Sequence, residues 1–289
     1  MKKHLTLLIW ISGLAFGYSQ ELTKEKELND LIDELFMEDE VIDELTASLK
    51  NFQFLYISAT YNSGTYFSGR DIGIDQYNIT PQITYANSNG LFASLSGIYY
   101  SEFVPKWDVT TATVGFGRNI GKNKLLKYSI SYSKYFYAND IDNIYTNTLN
   151  LGLGVRNKKR TLGTQLSGSY LFGEEQSFEI ASRSFVDFNL LKTKKTSLKF
   201  KPQLNITAGK QTIELARIVN QSGQLVTQYT ENDVFDLINT QINLPLLLST
   251  NSFDFEAGYN INFPNAIGDE SNLKNTGFFN FSVGYLIDL

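Results

Sequence analysis

From Asn51 to the end of the chain, side chains alternate between apolar and polar in runs of ten to fifteen residues, each closed by turn-forming residues. A period of two belongs to the β-strand, whose successive side chains point to opposite faces. Twelve such segments can be marked: 51–61, 76–86, 91–100, 108–118, 125–137, 144–156, 161–172, 178–190, 196–207, 234–248, 253–263 and 276–288. In the sixth, Leu149, Leu151, Leu153 and Val155 alternate with Thr148, Asn150, Gly152 and Gly154. In the eleventh, Phe253, Phe255, Ala257, Tyr259, Ile261 and Phe263 alternate with Asp254, Glu256, Gly258, Asn260 and Asn262. The ninth sets Leu198, Phe200, Pro202, Leu204 and Ile206 against Ser197, Lys199, Lys201, Gln203 and Asn205. Proline donates no ladder hydrogen bond, so a bulge or break is expected at Pro202. The abundance of Tyr (17) and Phe (21) beside few Pro (5) and Met (2) fits strands better than helices.

A tilted strand of about 9 to 11 residues crosses the hydrocarbon of a bilayer. In a membrane barrel its apolar side meets lipid and its small or polar side the lumen. Connection lengths follow the same logic. Gaps at 87–90, 119–124, 157–160, 191–195 and 249–252 hold four to six residues, whereas those at 62–75, 101–107, 138–143, 173–177, 208–233 and 264–275 run from five to twenty-six. Short turns on the periplasmic side and longer loops outside place both termini in the periplasm. The fold expected is all-β, an antiparallel transmembrane β-barrel of about twelve strands over residues 51–289. Asn87-Ser88-Asn89-Gly90 and Asn157-Lys158-Lys159-Arg160 have hairpin chemistry. The longest gap carries alternating runs at Ile213 to Ile218 and Leu225 to Tyr229 around Asn220-Gln221-Ser222-Gly223, which read as a hairpin prolonging the ninth and tenth strands. Tyr99, Tyr100, Phe103 and Trp107, and Tyr132, Tyr135, Phe136 and Tyr137, cluster near segment ends. Aromatic girdles at membrane interfaces predict this, as does cross-strand packing in a soluble barrel.

Residues 1–19 read as a secretory signal: Lys2 and Lys3, an apolar stretch from Leu5 to Phe16, and the small-x-small site Gly17-Tyr18-Ser19 before a mature start at Gln20. Residues 20–50 hold eleven acids against three lysines, a net of −8, while residues 51–289 hold 19 acids and 20 bases. Leu28, Leu35, Ile42 and Leu49 recur at helical spacing there, predicting a short acidic amphipathic helix. Three roles remain open for it: a solvated periplasmic lead-in, a plug inside the lumen, or a helix that docks on a protein partner.

The last strand, Asn280 to Leu289, carries Ser282, Gly284, Ile287 and Leu289, a polar residue, a glycine two later and then spaced hydrophobic residues. It resembles the C-terminal signal by which the barrel-assembly machinery recognises outer-membrane substrates, with Leu in place of the commoner terminal aromatic. The whole mature chain resembles bacterial outer-membrane β-barrel proteins as a class, and its Asn- and Lys-rich composition resembles that of Bacteroidota. The resemblance implies contact with outer-membrane lipid, and with the assembly machinery during biogenesis.

Chemistry is narrowed by what the chain lacks. It has no cysteine, and its one histidine, His4, lies in the signal, so thiolate nucleophiles, Ser-His catalysis and zinc held by imidazole or thiolate are excluded. The enzymatic outer-membrane barrels resemble one another in using a histidine, so no enzyme, no metal and no cofactor are expected. No basic stripe of the kind that binds nucleic acid is present. Asp140 and Asp142, flanked by Asn139 and Asn143, offer oxygen ligands for calcium, but the spacing lacks the glycine and terminal glutamate of a calcium loop and fits a solvated turn better.

The lumen is the more informative candidate. Alternation turns Lys127, Arg156, Arg183, Lys199 and Lys201 inward with Glu179, Asp187, Asp254 and Glu256. This balanced set suits salt-bridged cross-links or an ion-selective pore, and Asp187 and Lys199 are the first pair expected across the 191–195 turn. Arg70, Asp71 and Asp75 in the first outer loop, with Lys106, Trp107 and Asp108 in the second, form either a rim site for a ligand or partner, or loops that pair internally. Two functions follow: a narrow passive channel for small polar solutes, or a closed barrel serving as a structural or interaction subunit of an outer-membrane secretion or assembly complex.

Overall fold

The computed structural model describes residues 53–289 apart from 72, 121–124, 139–144, 194–195, 222–223, 251 and 268–272, with the backbone alone described over most of 211–234. The signal, the acidic segment and the Asp140–Asp142 loop lie outside the described residues. Fourteen segments join one sheet, and they make twelve barrel strands because two strands are each interrupted once. These are β1 (Gln53–Asn62), β2 (Asn78–Asn87), β3 (Leu91–Tyr100), β4 (Trp107–Ile120), β5 (Leu126–Tyr137), β6 (Tyr145–Arg156) and β7 (Leu162–Gly173). Then come β8 (Gln176–Val186 and Phe188–Lys192), β9 (Ser197–Phe200 and Gln203–Gln221), β10 (Gln224–Ser249), β11 (Phe253–Pro264) and β12 (Thr276–Asp288). All pairs are antiparallel neighbours in sequence. β1 closes the cylinder by pairing with β12 from Phe54↔Asp288 to Asn62↔Asn280.

Closure follows from the solvent. Lipid offers no hydrogen bonds, so each strand needs a partner on both edges. The outer face is correspondingly apolar and exposed: Leu151 is 55% accessible, Leu153 62% and Phe281 50%, while their inward neighbours Gly152 and Ser282 are buried. Such a band exposed on a water-soluble protein would drive aggregation; against acyl chains it is the expected surface. Aromatic rings meet in tilted pairs along the outside near both rims, as in Tyr61–Tyr77 (5.6 Å) and Tyr77–Tyr99 (6.5 Å) at one end and Phe253–Tyr285 (4.7 Å) at the other. The molecule is a transmembrane β-barrel of outer-membrane type.

The interruption in β9 falls at Lys201 and Pro202, where the sequence predicted one. Pairing register is unchanged across it, from Gln203↔Asn243 to Phe200↔Leu246. The missing proline donor therefore breaks the ladder without a slip. β10 continues past the barrel as one strand, pairing with β9 up to Gln221↔Gln224. The long connection is thus the predicted hairpin, and the expected segments 196–207 and 234–248 end short of it. Short turns and both ends of the barrel chain gather at one rim, here the turn end; the opposite rim is the loop end. The β7–β8 connection, from Gly173 to Gln176, is tight although it lies at the loop end.

Candidate functional site in the barrel lumen

Inward-facing side chains divide into two levels. The upper part of the β9–β12 wall is lined by amides that hydrogen-bond to one another. Asn262 Nδ2 donates to Thr276 Oγ1 (3.0 Å), while Asn262 Oδ1 accepts from Asn239 Nδ2 (3.2 Å) and Gln241 Nε2 (2.9 Å). Gln241 Oε1 accepts in turn from Asn205 Nδ2 (3.1 Å). Asn260 Nδ2 donates to Asn280 Oδ1 (2.9 Å), and Asn280 Nδ2 donates to Glu256. Hydroxyls line the other strands, paired as Thr60–Ser282 (3.0 Å), Thr84–Ser94 (3.0 Å) and Thr113–Ser133 (2.8 Å).

The turn end carries the charges. Lys127, Lys199, Lys201, Asp254 and Glu256 are all under 10% accessible, among buried Phe54, Tyr56, Leu247 and Leu286. Phe185, 2% accessible, is the hub of the cationic side: the Arg156 guanidinium lies 5.2 Å and the Lys201 ammonium 4.3 Å from its ring centroid. Ring faces attract cations electrostatically, more so away from water. Gly163 makes this contact available, because it lies between Phe185 and Arg156 in the pairing and a Cβ there would press into the Phe185 ring. Arg183 and Glu179 sit half-buried on the inward face of β8, opposite Gln165 and Ser169. The register places Phe188 opposite Phe200 and Asn189 opposite Lys199. The residue that faces Asp187 across the hairpin is therefore Lys201, two positions from the expected Lys199. The difference comes from the position of the turn: a turn centred on 191–195 would pair Asp187 with Lys199, whereas the strands close at Lys192↔Ser197 and the register then shifts by one between Asn189 and Leu191.

Residues of the outer-loop set do not converge on one site. The first loop folds inward over the β10–β12 rim, with Arg70 donating to the carbonyls of Asn265 (2.7 Å) and Ile238 (3.4 Å). Ser68 and Gly69 adopt positive φ (51° and 79°), and the Gly69 carbonyl accepts from Thr276 Oγ1 (2.9 Å). Asp71 closes a local turn by accepting from the Gly73 amide (2.8 Å), and Asp75 is exposed. Burial, then the carboxylates of Asp71 and Asp75 and the Tyr259 phenol, raise the Tyr66 phenol above its ordinary range. Trp107 covers Gly97 on the lipid-facing side of the barrel and donates to Thr110 Oγ1 (2.9 Å). Lys106 is exposed, while Asp108 is half-buried and its carbonyl accepts from the Ala138 amide (2.8 Å).

In the assembly signal, Ser282 and Gly284 face the lumen, while Ile287 and Leu289 belong to the outward parity, Leu289 being 66% accessible. Sequence reasoning passed over Asn239, Gln241, Asn243 and Asn280, and over Phe185 and Tyr56. Parity with the inward charges was the available signal. Uncharged amides and inward aromatics were not weighted as functional.

No protein-family model matches the sequence, and no curated protein is similar to it. Among solved structures, the KdgM porin is 8% identical, with 80% of this chain and 98% of that chain covered and a TM-score of 0.46. The NanC porin is 11% identical with the same coverage and TM-score. The outer membrane protein Omp33 of Acinetobacter baumannii is 11% identical, covering 81% of this chain and 98% of its own, with a TM-score of 0.39.

Proposed function

We propose that the protein is a narrow passive channel for small polar solutes in the outer membrane, with the turn end and both termini in the periplasm and no catalytic role. The observation that carries this reading is the lumen lining: amides and hydroxyls present donors and acceptors from Thr276 at the loop end down to Asn280 and Glu256. A solute stripped of part of its hydration shell is compensated by such groups along its path. The buried charges at the turn end form the constriction, where Lys199, Lys201, Arg183, Asp187 and Glu256 set selectivity.

A second reading, a closed barrel acting as a structural or interaction subunit, is favoured by the near-complete burial of Lys201 (2%) and Asp254 (0%) at that same end. Planar-bilayer recording of the refolded mature chain (20–289) and of 51–289 under identical salt separates the two. Discrete conductance steps from both chains are expected of the channel. Steps from the shorter chain alone assign residues 20–50 as a plug. Silence from both, with strand content and heat-modifiable gel mobility intact, overturns the channel and leaves the closed barrel.

A further inference from the structure

Charge is divided between the two ends of the barrel and, at the turn end, between its two sides. The turn-end rim of β4–β9 carries Arg118, Lys158, Lys159 and Lys192, all exposed, with Arg160 half-buried beside them. Asp187 is the one carboxylate at this end of those six strands among the described residues, so pairing within the rim leaves most of its positive charge in place. The inward Lys127, Lys199 and Lys201 are buried and offer a ligand little surface, which leaves the rim as the face on offer. On the other side of the mouth the turns 87–90 and 249–252 carry no charge, and the remaining acids of this end, Asp254, Glu256 and Asp288, stand on β11 and β12. Acids prevail at the surface of the loop end, where Asp71, Asp75, Glu102, Glu174 and Glu175 are exposed.

The chain supplies a counterpart to the basic rim. β1 begins at the turn end, where Gln53 pairs with Asn87 and its carbonyl accepts from the Leu289 amide. Residues 20–50, with eleven acids against three lysines, are therefore tethered to the same mouth as the bases. Twelve strands about 4.8 Å apart close a cylinder roughly 20–25 Å across. The β6–β7 turn lies half-way round that cylinder from β1. Residues 22–49 would run about 40 Å as a helix and farther if extended, so the segment has the length to reach it. A tether also holds the segment at an effective concentration of about millimolar, an advantage that no free acidic peptide shares. We propose that the basic β4–β9 rim is the docking surface of the chain's own acidic segment, residues 20–50, held at the turn-end mouth by complementary charge. The docking stands whether or not the barrel conducts.

The test uses the refolded mature chain (20–289) in neutral detergent, treated with a carbodiimide, which condenses a carboxylate with an amine only where the two touch. Peptide mapping is expected to join acids of residues 20–50 to Lys158, Lys159 and Lys192. The yield should fall about fivefold or more in 1 M salt, where the screening length is about 3 Å. In the variant carrying Lys158→Gln, Lys159→Gln and Lys192→Gln, a glutamate-specific protease is expected to cut the segment about threefold faster or more. Should that variant lose its heat-modifiable mobility, the salt series on the unaltered chain carries the test. Links only to Lys127, Lys199 or Lys201 would make the segment a plug in the lumen, and links only to Lys106, Lys134 or Lys274 would move it to the loop end. Links between isotopically labelled and unlabelled chains would give the rim to a second copy. Loss of the links on transfer from phosphatidylcholine to phosphatidylglycerol vesicles would give it to anionic lipid. Each of these overturns the proposal, as does the absence of any link to residues 20–50. Bilayer silence with the rim links intact removes the channel and keeps the docking; conductance without rim links removes the docking and keeps the channel.

Discussion

Gly284 shows how one residue serves both assembly and packing. It occupies the glycine position of the C-terminal motif and pairs with Ser58 on β1 and Asp254 on β11. The Tyr56 ring lies over it so closely that a Cβ would overlap the phenol. A ring over a strand glycine covers backbone that would otherwise lack side-chain contact and pins neighbouring strands in register. Gly284→Ala is expected to cost about 1–3 kcal/mol through overpacking, read as a lower urea midpoint for unfolding from lipid vesicles. Tyr56→Ala in the same chain should recover part of that loss. Full recovery of assembly yield only with glycine restored would assign the residue to recognition rather than packing.

At the scale of an element, the first loop and the β9–β10 hairpin depart from the plain barrel in opposite directions. The loop turns inward: Arg70 on two carbonyls, Gly69 on Thr276, and Phe67 stacked on Phe103 (6.4 Å) hold it across the loop-end rim. Charge-assisted hydrogen bonds of this kind are the stronger ones. Arg70→Met is therefore expected to raise amide exchange in residues 66–71 while leaving strand exchange unchanged, and unchanged exchange in the loop would deny the clasp. The hairpin turns outward, beyond the roughly 9 to 11 residues that span a bilayer. Past Gln211↔Val234 its strands pair only with each other among the described residues. Replacing residues 212–233 by Asn-Gly supplies a two-residue turn suited to that pairing. The shortened chain should keep its heat-modifiable mobility; its loss would make the arm part of the folding unit.

For the whole molecule, closure is the cooperative event. Among the described residues β12 alone bridges β1 and β11, so removing residues 280–289 leaves two strand edges facing lipid, each with unpaired backbone groups costing several kcal/mol. Loss of the compact gel form is expected in full rather than in proportion to the residues removed. A truncated chain that still resisted heat would mean that β1 and β11 can pair directly. The polar interior is a whole-molecule property too, since the amide chain links the first loop to β12, β11, β10 and β9.

Strand number, parity and outward face were legible in the sequence because lipid imposes a period of two that no packing detail can override. Leu149 to Val155 and Phe253 to Phe263 show it residue by residue. Pro202 likewise announced its break, since a missing donor is a property of the residue itself. The inward orientation of Lys127, Arg156, Lys199 and Asp254 followed from the same parity. Which inward groups meet was left to the tertiary structure. Partners across a barrel depend on register and bulges, and the closing of the turn at Lys192↔Ser197, with a one-residue shift between Asn189 and Leu191, puts Asp187 opposite Lys201 rather than Lys199. For Arg70 the sequence left open a rim site or a loop bonded within the protein, and the loop's inward fold aligned it with the Asn265 and Ile238 carbonyls. The tie between the first loop and the lumen wall depended on one backbone oxygen, at Gly69, brought beside Thr276 from 207 residues away. Local alternation fixes the face a side chain presents, and only closure of the cylinder fixes what it meets there.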